Sequence, residues 1–404
     1  MPPKFLIKII VLIIVALLIA VFTATFGQVL NILQSIFLNN SDLIYGLPLA
    51  GLLITAIHKY LPPSFINGSE FLLTEAQTLQ TDDYQKTPVF KNWRLAIYIT
   101  LSTWWTHLFG GSAGRESSAL QIGGSLTLPF LNLWSNLKTM QNRLIAAGMS
   151  AGFASLFGVP WAAPFFVAEI LKNYSPRLLL LSLTLSHLAH YFAQAIGLPH
   201  THFDVITPNL SWDAILPLLG LLMLITASAW LYLLSRNLIL KLNQRWFKDV
   251  SFRKNAIYSL LALGLWLLWD NPEISGLSLP QLELAFTTPV DPYFVLQKGL
   301  LTLLILAAGF KGGEVTPIFV MGAGLGSVST MLFGADLPTS YMASLAMLGL
   351  FSALYRTPLT STVMAAELFG LDHIPLYFCF YFLLKLVGPR RGLLALPSTA
   401  KEKR

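Results

Sequence analysis

A constant offset of 198 residues relates the two halves of the chain. Glu116 lies in one glycine-rich segment, 110–118, and Glu314 lies in a second, 309–317, at 314 − 116 = 198. Matching breaks between apolar runs indicate an internal repeat with a binding site between its halves. The same offset, carried without a gap, pairs Gly111 with Gly309, Gly114 with Gly312, Gly124 with Gly322, Met149 with Met347, Phe153 with Phe351, Pro160 with Pro358 and Glu169 with Glu367.

The amino-acid composition is typical of a membrane protein. Hydrophobic residues make up 55% of the 404 and charged residues only 11%, whereas soluble domains carry about 25% charged residues. We therefore predict an all-α, polytopic membrane protein in which 1–404 form a single transmembrane domain. Several apolar runs are shorter than the roughly 20 residues that cross a bilayer. We accordingly expect tilted, broken and partly inserted helices.

The distribution of basic residues predicts the topology. Lys and Arg cluster at both ends of the chain and in 236–254, and they are absent between Arg177 and Arg236. By the positive-inside rule, both termini and 236–254 are cytoplasmic and 198–213 faces outwards. The basic residues are thus topology signals, and no nucleic-acid partner is expected.

This topology makes the two repeats inverted. A first repeat, 14–197, runs from inside to outside, and a second, 212–395, runs back. A short cytoplasmic tail, 396–404, follows. Inverted repeats place the substrate near the bilayer midplane, beside helix ends.

The glycine-rich segments are suited to an anion. Glycine lets backbone N–H groups approach a ligand closely, and a helix that starts there presents unpaired N–H groups and the positive end of its dipole. Ser117 and the residues after it have the pattern of such a start. Pro317 suits the first turn of the second helix. Two helix starts related by an inverted repeat would point at one central anion.

An ionised carboxyl group repels an anion, so a glutamate at an anion site can take part in transport only if it gains and loses a proton. Burial and a nearby anion both favour the protonated form. When protonated, Glu116 or Glu314 can donate a hydrogen bond to the anion, and when ionised it can take the anion's place. This permits exchange of protons for anions. The alternative is that both are helix N-caps at the membrane surface, but ionisable residues at membrane depth are functional by default.

The remaining titratable residues have other interpretations. Glu169 and Glu367 lie towards the far ends of segments that begin at Pro160 and Pro358, and structural hydrogen bonds are favoured over a proton relay. The single Cys379 excludes an internal disulfide. A remote alternative, an intramembrane metal hydrolase, would use five residues near the outward loop. These residues lack the His-Glu-x-x-His pattern, so no metal or cofactor is predicted; they are His187, His190, His200, His202 and Asp204.

Several motifs resemble those of one family. The segments Gly114-Arg115-Glu116, Gln121-Ile122-Gly123-Gly124 and Gly312-Gly313-Glu314-Val315-Thr316-Pro317 are similar to motifs of the CLC family of chloride channels and anion/proton antiporters. The similarity runs across nearly the whole sequence. It implies a CLC-like fold and a homodimer with one transport path per subunit. It also implies a multi-pass location in a bacterial inner (plasma) membrane and no enzymatic activity.

Longer segments are similar to the fluoride/proton antiporter branch. They are 102–116 and 309–317, with Glu314-Val315 where chloride-type members carry an apolar pair. Ile170 stands where chloride-type exchangers have a further proton-transferring glutamate, as in the fluoride branch. Export of fluoride in exchange for protons is therefore the favoured function. Chloride/proton exchange or a passive chloride channel is the alternative.

Three positions depart from the family pattern. Ser117 follows Glu116 where glycine is usual. Ser69 falls where the fluoride branch has methionine. Leu394 stands where a central tyrosine is expected.

The resemblance assigns a role to each candidate residue. Glu116 is the gate and proton carrier. The expected partners are fluoride or chloride, protons, the lipid bilayer and a second copy of the chain. The predicted anion-binding residues are Ser69, Gly114, Arg115, Ser117, Gly313, Glu314, Val315 and Thr316.

Overall fold

The chain folds into helices joined by short irregular segments. The structure is a computed structural model that describes residues 3–61, 93–135, 137–200, 203–209, 211–247, 251–333 and 337–394. The α-helices of the first half are α1 (Pro3–Asn39), α2 (Leu47–His58), α3 (Arg94–Leu108), α4 (Glu116–Leu126), α5 (Leu131–Trp134), α6 (Lys138–Phe157), α7 (Ala162–Leu171) and α8 (Pro176–Ala195).

The second half repeats this order. Its α-helices are α9 (Ile215–Trp246), α10 (Phe252–Trp269), α11 (Leu279–Leu284), α12 (Pro292–Ala307), α13 (Val315–Phe333), α14 (Thr339–Tyr355), α15 (Pro358–Phe369) and α16 (Ile374–Val387). Short 3₁₀ turns precede or link some of them, at Ser41–Gly46, Leu128–Phe130, Trp212–Ala214 and Pro272–Ile274.

Helices of the two halves begin at corresponding positions. The first residues of α3 and α12 are 198 apart (292 − 94), and so are those of α8 and α16 (374 − 176). α4 begins at Glu116 and α13 begins at Val315, directly after Glu314. The predicted bounds of the repeats, 14–197 and 212–395, stay a prediction. The predicted tail, 396–404, lies outside the described residues.

Helix lengths confirm the expectation of broken helices. Among the described residues, four helical stretches are long and apolar enough to cross a membrane, Leu6–Asn39, Ser41–His58, Trp212–Trp246 and Val315–Phe333. Others are apolar but shorter, such as α7, α12, α14 and α16. These short helices cannot span the roughly 30 Å hydrocarbon core alone.

α13 lies inside the protein rather than at its periphery. Its most apolar stretch is 89% buried, whereas the corresponding stretch in Trp212–Trp246 is only 28% buried. α14 packs along α13, and α6 packs along α4. Gly123 permits the second contact, because a Cβ atom there would lie 2.1 Å from the carbonyl oxygen of Gly148. Small residues at such crossings let helices pack closely in a membrane protein, and this positions α4 and α13 at the centre.

Candidate anion site

The two glycine-rich segments meet directly before α4 and α13. The N–H of Gly114 donates to the carbonyl of Gly313 (2.6 Å), and the N–H of Gly313 donates to that of Gly114 (2.8 Å). This reciprocal pair is an isolated antiparallel bridge. A Cβ atom on Gly114 would lie 2.8 Å from the hydroxyl oxygen of Thr316, so only glycine allows the contact. The predicted convergence of the two helix starts is therefore observed.

Neighbouring helices hold these segments in place. The Thr106 hydroxyl of α3 donates to the carbonyl of Lys311 (2.6 Å), across the two halves. The hydroxyls of Ser112 and Thr302 are hydrogen-bonded at 2.8 Å. His107 lies 3.1 Å from the carbonyl oxygen of Ala113 through its Nε2 atom. Each glycine-rich segment is thus hydrogen-bonded to a helix of the other half, and the first segment is also held by α3, the helix that precedes it.

Glu116 occupies the gap between the helix starts. Its side chain is 1% exposed. The carboxylate oxygen Oε2 accepts a hydrogen bond from the hydroxyl of Thr316, in the first turn of α13. The same oxygen accepts from the backbone N–H of Arg115 at 3.2 Å. The carboxylate of one helix start is therefore bound by the other, at a position that the dipole of α13 makes favourable for negative charge.

Arg115 completes this arrangement from the side. Its Nε atom lies 3.7 Å from Oε1 of Glu116, and its Nη1 atom donates to Asn31 at 3.4 Å. Its backbone N–H also approaches the Thr316 hydroxyl oxygen at 3.3 Å. The buried carboxylate therefore has both a nearby cation and hydrogen-bond donors, which an isolated charge at this depth would require.

Glu314 lines a cavity, whereas Glu116 does not. Its side chain is 15% exposed and its Oε1 atom lies 3.6 Å from Nε of Arg236 on α9. The cavity has a volume of about 340 Å³ and reaches the surface beside the exposed Leu240. Its polar lining comes from α4, α9, α10, the start of α13 and the end of α14, through Ser117, Arg236, Asn243, Lys254, Glu314 and Tyr355.

The other predicted anion-binding residues are distributed around this cavity. Ser117 and Gly313 line it, and Val315 and Thr316 are buried in the first turn of α13. Leu393 and Leu394 form an apolar part of the wall. Ser69 lies outside the described residues. The structure thus brings together every described residue of the predicted set, and their roles stay a prediction.

Sequence reasoning missed Arg236 and Tyr355 as site residues. Arg236 was interpreted only as a topology signal, and Tyr355 carried no motif. Both line the cavity with Glu314. The available signal for Tyr355 was its place three residues before Pro358, the proline that the repeat offset pairs with Pro160.

Glu169 and Glu367 make structural hydrogen bonds, as predicted. Glu169 Oε2 accepts from the N–H (2.8 Å) and the hydroxyl (2.6 Å) of Thr360. Glu367 accepts from the N–H groups of Trp161 (2.7 Å) and Ala162 (2.8 Å). Each carboxylate therefore caps a helix start in the other half.

The described histidines do not favour the remote metal-hydrolase alternative. The rings of His190 and His200 are 4.9 Å apart, and His187 packs edge-on against Trp161. His200 Nε2 lies 2.9 Å from the carbonyl oxygen of Ser155. Within the described ranges, no three His, Cys, Asp or Glu side chains are placed to hold a metal ion. His202 lies outside those ranges.

Two opposed helix starts around a buried carboxylate, inside a bundle of broken apolar helices, define a membrane protein that transports anions. The family model described as voltage gated chloride channel matches residues 50–383. The chain belongs to this family and is a CLC family anion transporter.

Individual relatives agree with this assignment. A protein named chloride/fluoride channel protein, from Pseudomonas syringae pv. tomato, is 30% identical over 342 residues, which cover 82% of this chain and 73% of that protein. A crystal structure of a CLC-type fluoride/proton antiporter is 27% identical, with a TM-score of 0.85, and the match covers 97% of this chain and 98% of the other. A slow cyanobacterial Cl⁻/H⁺ antiporter shares the fold, with 18% identity, a TM-score of 0.76 and coverage of 96% and 94%.

Proposed function

We propose that this protein exports fluoride from the cytoplasm in exchange for protons. The observation that carries the proposal is the Glu116 carboxylate, buried between two helix starts and hydrogen-bonded to Thr316 of the opposite start. An ionised carboxylate there takes the anion's place. Once protonated, Glu116 loses its attraction to the helix start, leaves, and carries its proton as the anion enters. The side chain thus alternates with the anion and couples the two fluxes.

Fluoride is favoured over chloride by the chemistry around the second helix start. Fluoride is small and strongly hydrated, so strong donors must replace its water. The Thr316 and Ser117 hydroxyls and the backbone amides of the glycine segments supply such donors. Glu314 adds a second carboxyl group, which binds or orients fluoride when protonated. The similarity to a fluoride/proton antiporter over nearly the whole chain supports the same choice.

A chloride/proton antiporter or a passive channel is the second candidate. Two observations favour it. The Pseudomonas syringae relative is named a chloride/fluoride channel protein, and Leu393 and Leu394 leave part of the cavity wall apolar. An apolar wall suits the larger, more weakly hydrated chloride ion.

Proteoliposomes distinguish these functions. Vesicles loaded with fluoride or chloride are diluted into halide-free buffer, and ion-selective electrodes record halide release and proton uptake together. We expect rapid fluoride release, little chloride release, and proton uptake against the membrane potential. Selective chloride release would show that the transported halide is chloride and not fluoride. Halide release without proton uptake would indicate a channel.

A variant tests the proposed carrier. Glu116→Gln removes the titratable group and keeps the side-chain volume, so we expect halide release to continue without proton uptake. Glu283→Gln, at an exposed position on α11, is the matched control and should retain both fluxes. Proton uptake that persists in Glu116→Gln excludes Glu116 as the carrier.

We further propose that the transporter is a homodimer with one path per subunit, with both termini and the basic segment 236–254 in the cytoplasm. The clustered basic residues of 236–254 support the orientation. Mass measurement in detergent tests the dimer, and labelling of single cysteines placed in 198–213 and 236–254 of a Cys379→Ser background tests the orientation. Labelling of 236–254 from outside intact cells would reverse the proposed topology.

A further inference from the structure

The end of α14 brings a phenol into the cavity beside the candidate site. Tyr355 is the last residue of α14 and lines the cavity together with Ser117 and Glu314. Among the described residues that line it, Tyr355 is the one tyrosine. Leu393 and Leu394, which form an apolar part of the wall, have no side-chain donor.

Aromatic packing fixes the direction of the Tyr355 side chain. The residue is 8% exposed. Its ring lies 4.9 Å from that of Phe351, one turn earlier on α14, and 5.8 Å from that of Phe166 on α7. The ring is therefore held by two aromatic neighbours, and the residue lines the cavity.

The hydroxyl of Tyr355 interacts with residues of both helix starts. It is close enough to the Ser117 side chain, at the start of α4, to interact with it. Glu314 before α13 and Arg236 on α9 also act on it electrostatically, and so does Glu116. Ser117 and Tyr355 both line the cavity, and Ser117 directly follows Glu116 in the first turn of α4.

We propose that the Tyr355 hydroxyl is a halide ligand at the cavity end of the transport path. It acts together with the Ser117 hydroxyl. The proposal rests on the proposed function, in which a halide passes between the helix starts. Without an anion, the two hydroxyls interact with each other. Because they are already adjacent, each O–H needs only to rotate in order to donate a hydrogen bond to an anion that enters between them.

The charge of the neighbouring groups explains why a neutral donor is needed there. An ionised Glu314 only accepts hydrogen bonds and repels an anion. Arg236 offsets part of that charge, since its Nε atom lies 3.6 Å from Oε1 of Glu314. A phenol adds a donor without adding charge. Hydrogen bonds in which one partner is an anion are shorter and about twice as strong as neutral ones, and the gain is greatest for small fluoride.

The experiment compares two tyrosine hydroxyls. Tyr355→Phe removes the proposed ligand and keeps the ring that packs on Phe351. Tyr377→Phe is the matched control, because the Tyr377 hydroxyl is hydrogen-bonded to that of Ser344 at 2.7 Å and does not line the cavity. The half-saturating concentrations of fluoride and chloride are measured in proteoliposomes, with melting temperatures in detergent as the test of folding.

We expect Tyr355→Phe to raise the half-saturating fluoride concentration about tenfold, the loss expected for one hydrogen bond to a charged partner. The corresponding change for chloride should be smaller, so fluoride selectivity falls. Tyr377→Phe should keep both concentrations and lower only the melting temperature. Unchanged fluoride saturation in a folded Tyr355→Phe protein overturns the proposal and assigns Tyr355 to packing alone.

Two further measurements separate this proposal from the proposed function. If the wild-type protein moves chloride instead, the same comparison is made with chloride, and an unchanged value again overturns the Tyr355 assignment. If the wild-type protein moves neither halide, the proposed function fails. Isothermal titration of both halides into wild-type and Tyr355→Phe protein then decides the ligand assignment. Should Tyr355→Phe not fold, Ser117→Ala tests the same hydroxyl pair, with the same expected loss.

Discussion

Glu169 and Glu367 each cap the helix on which the other lies. Glu169, near the end of α7, accepts hydrogen bonds from the start of α15. Glu367, near the end of α15, accepts from the start of α7. The donors keep the offset of the repeat, since the N–H groups of Trp161 and Leu359 are 198 residues apart (359 − 161). Residues that correspond in the sequence repeat therefore make equivalent, reciprocal hydrogen bonds between the two halves of the fold.

These caps should contribute to stability rather than to coupling. Glu367→Ala leaves the first N–H groups of α7 without an acceptor, and we expect a loss of about 1 kcal/mol of folding free energy. The melting temperature in detergent should fall, while the ratio of protons to halide stays that of wild type. Glu283→Ala, on the exposed surface, is the control. A changed transport ratio in folded Glu367→Ala protein would contradict a purely structural role.

The hydrogen bond between Thr316 and Glu116 should set how firmly the gate closes. Thr316→Val removes the donor and keeps the side-chain shape. Loss of a hydrogen bond to a charged group, about 1.5–3 kcal/mol, lowers the occupancy of the ionised carboxylate at the helix start by about tenfold or more. We therefore expect more halide released per proton taken up, measured with paired electrodes. Thr316→Ser retains the hydroxyl and should restore coupling. Wild-type coupling in Thr316→Val would show that the bond does not hold the gate.

Arg236 should assist the capture of anions from the cavity. Arg236→Gln leaves the negative charge of Glu314 without its nearby cation. We expect halide flux at sub-saturating concentration to fall by about tenfold at low ionic strength and by less in high salt, where charges are screened. Arg236→Lys should restore most of the flux. Lys241→Gln, an exposed position on the same helix, controls for a general loss of charge. A loss that does not depend on salt would point to packing instead.

Gly114 should tolerate no side chain. The Cβ atom of Gly114→Ala would lie 2.8 Å from the Thr316 hydroxyl oxygen and 2.9 Å from its backbone nitrogen. The two glycine segments must then separate, at a cost of about 1–3 kcal/mol for such overpacking. We expect transport to be lost and the melting temperature to fall. Gly264→Ala is the control, because nothing lies within 4 Å of a Cβ atom at that position on α10. Transport by Gly114→Ala at the wild-type rate would mean that the paired segments can shift freely.

Much of this molecule could be predicted before any fold was known. The low content of charged residues established a helical membrane protein, because apolar runs of this kind bury their backbone polar groups only as helices in lipid. The repeat offset and the glycine segments predicted that two helix starts converge, and the hydrogen-bonded pair Gly114 and Gly313 shows that the segments before them meet. These features are periodic or local, so the order of residues suffices to detect them.

The unequal surroundings of the two glutamates were decided by the tertiary structure alone. The offset treats Glu116 and Glu314 as equivalent, but Glu116 lies buried against Thr316 and Glu314 faces the cavity beside Arg236. Repeat symmetry fixes backbone positions, whereas the neighbours of a side chain come from helices that have diverged between the halves. Arg236 precedes Glu314 by 78 residues (314 − 236), and Tyr355 reaches the site from α14. Only packing of α9 and α14 around α13 brings those two side chains to the cavity, and no spacing in the sequence encodes that contact.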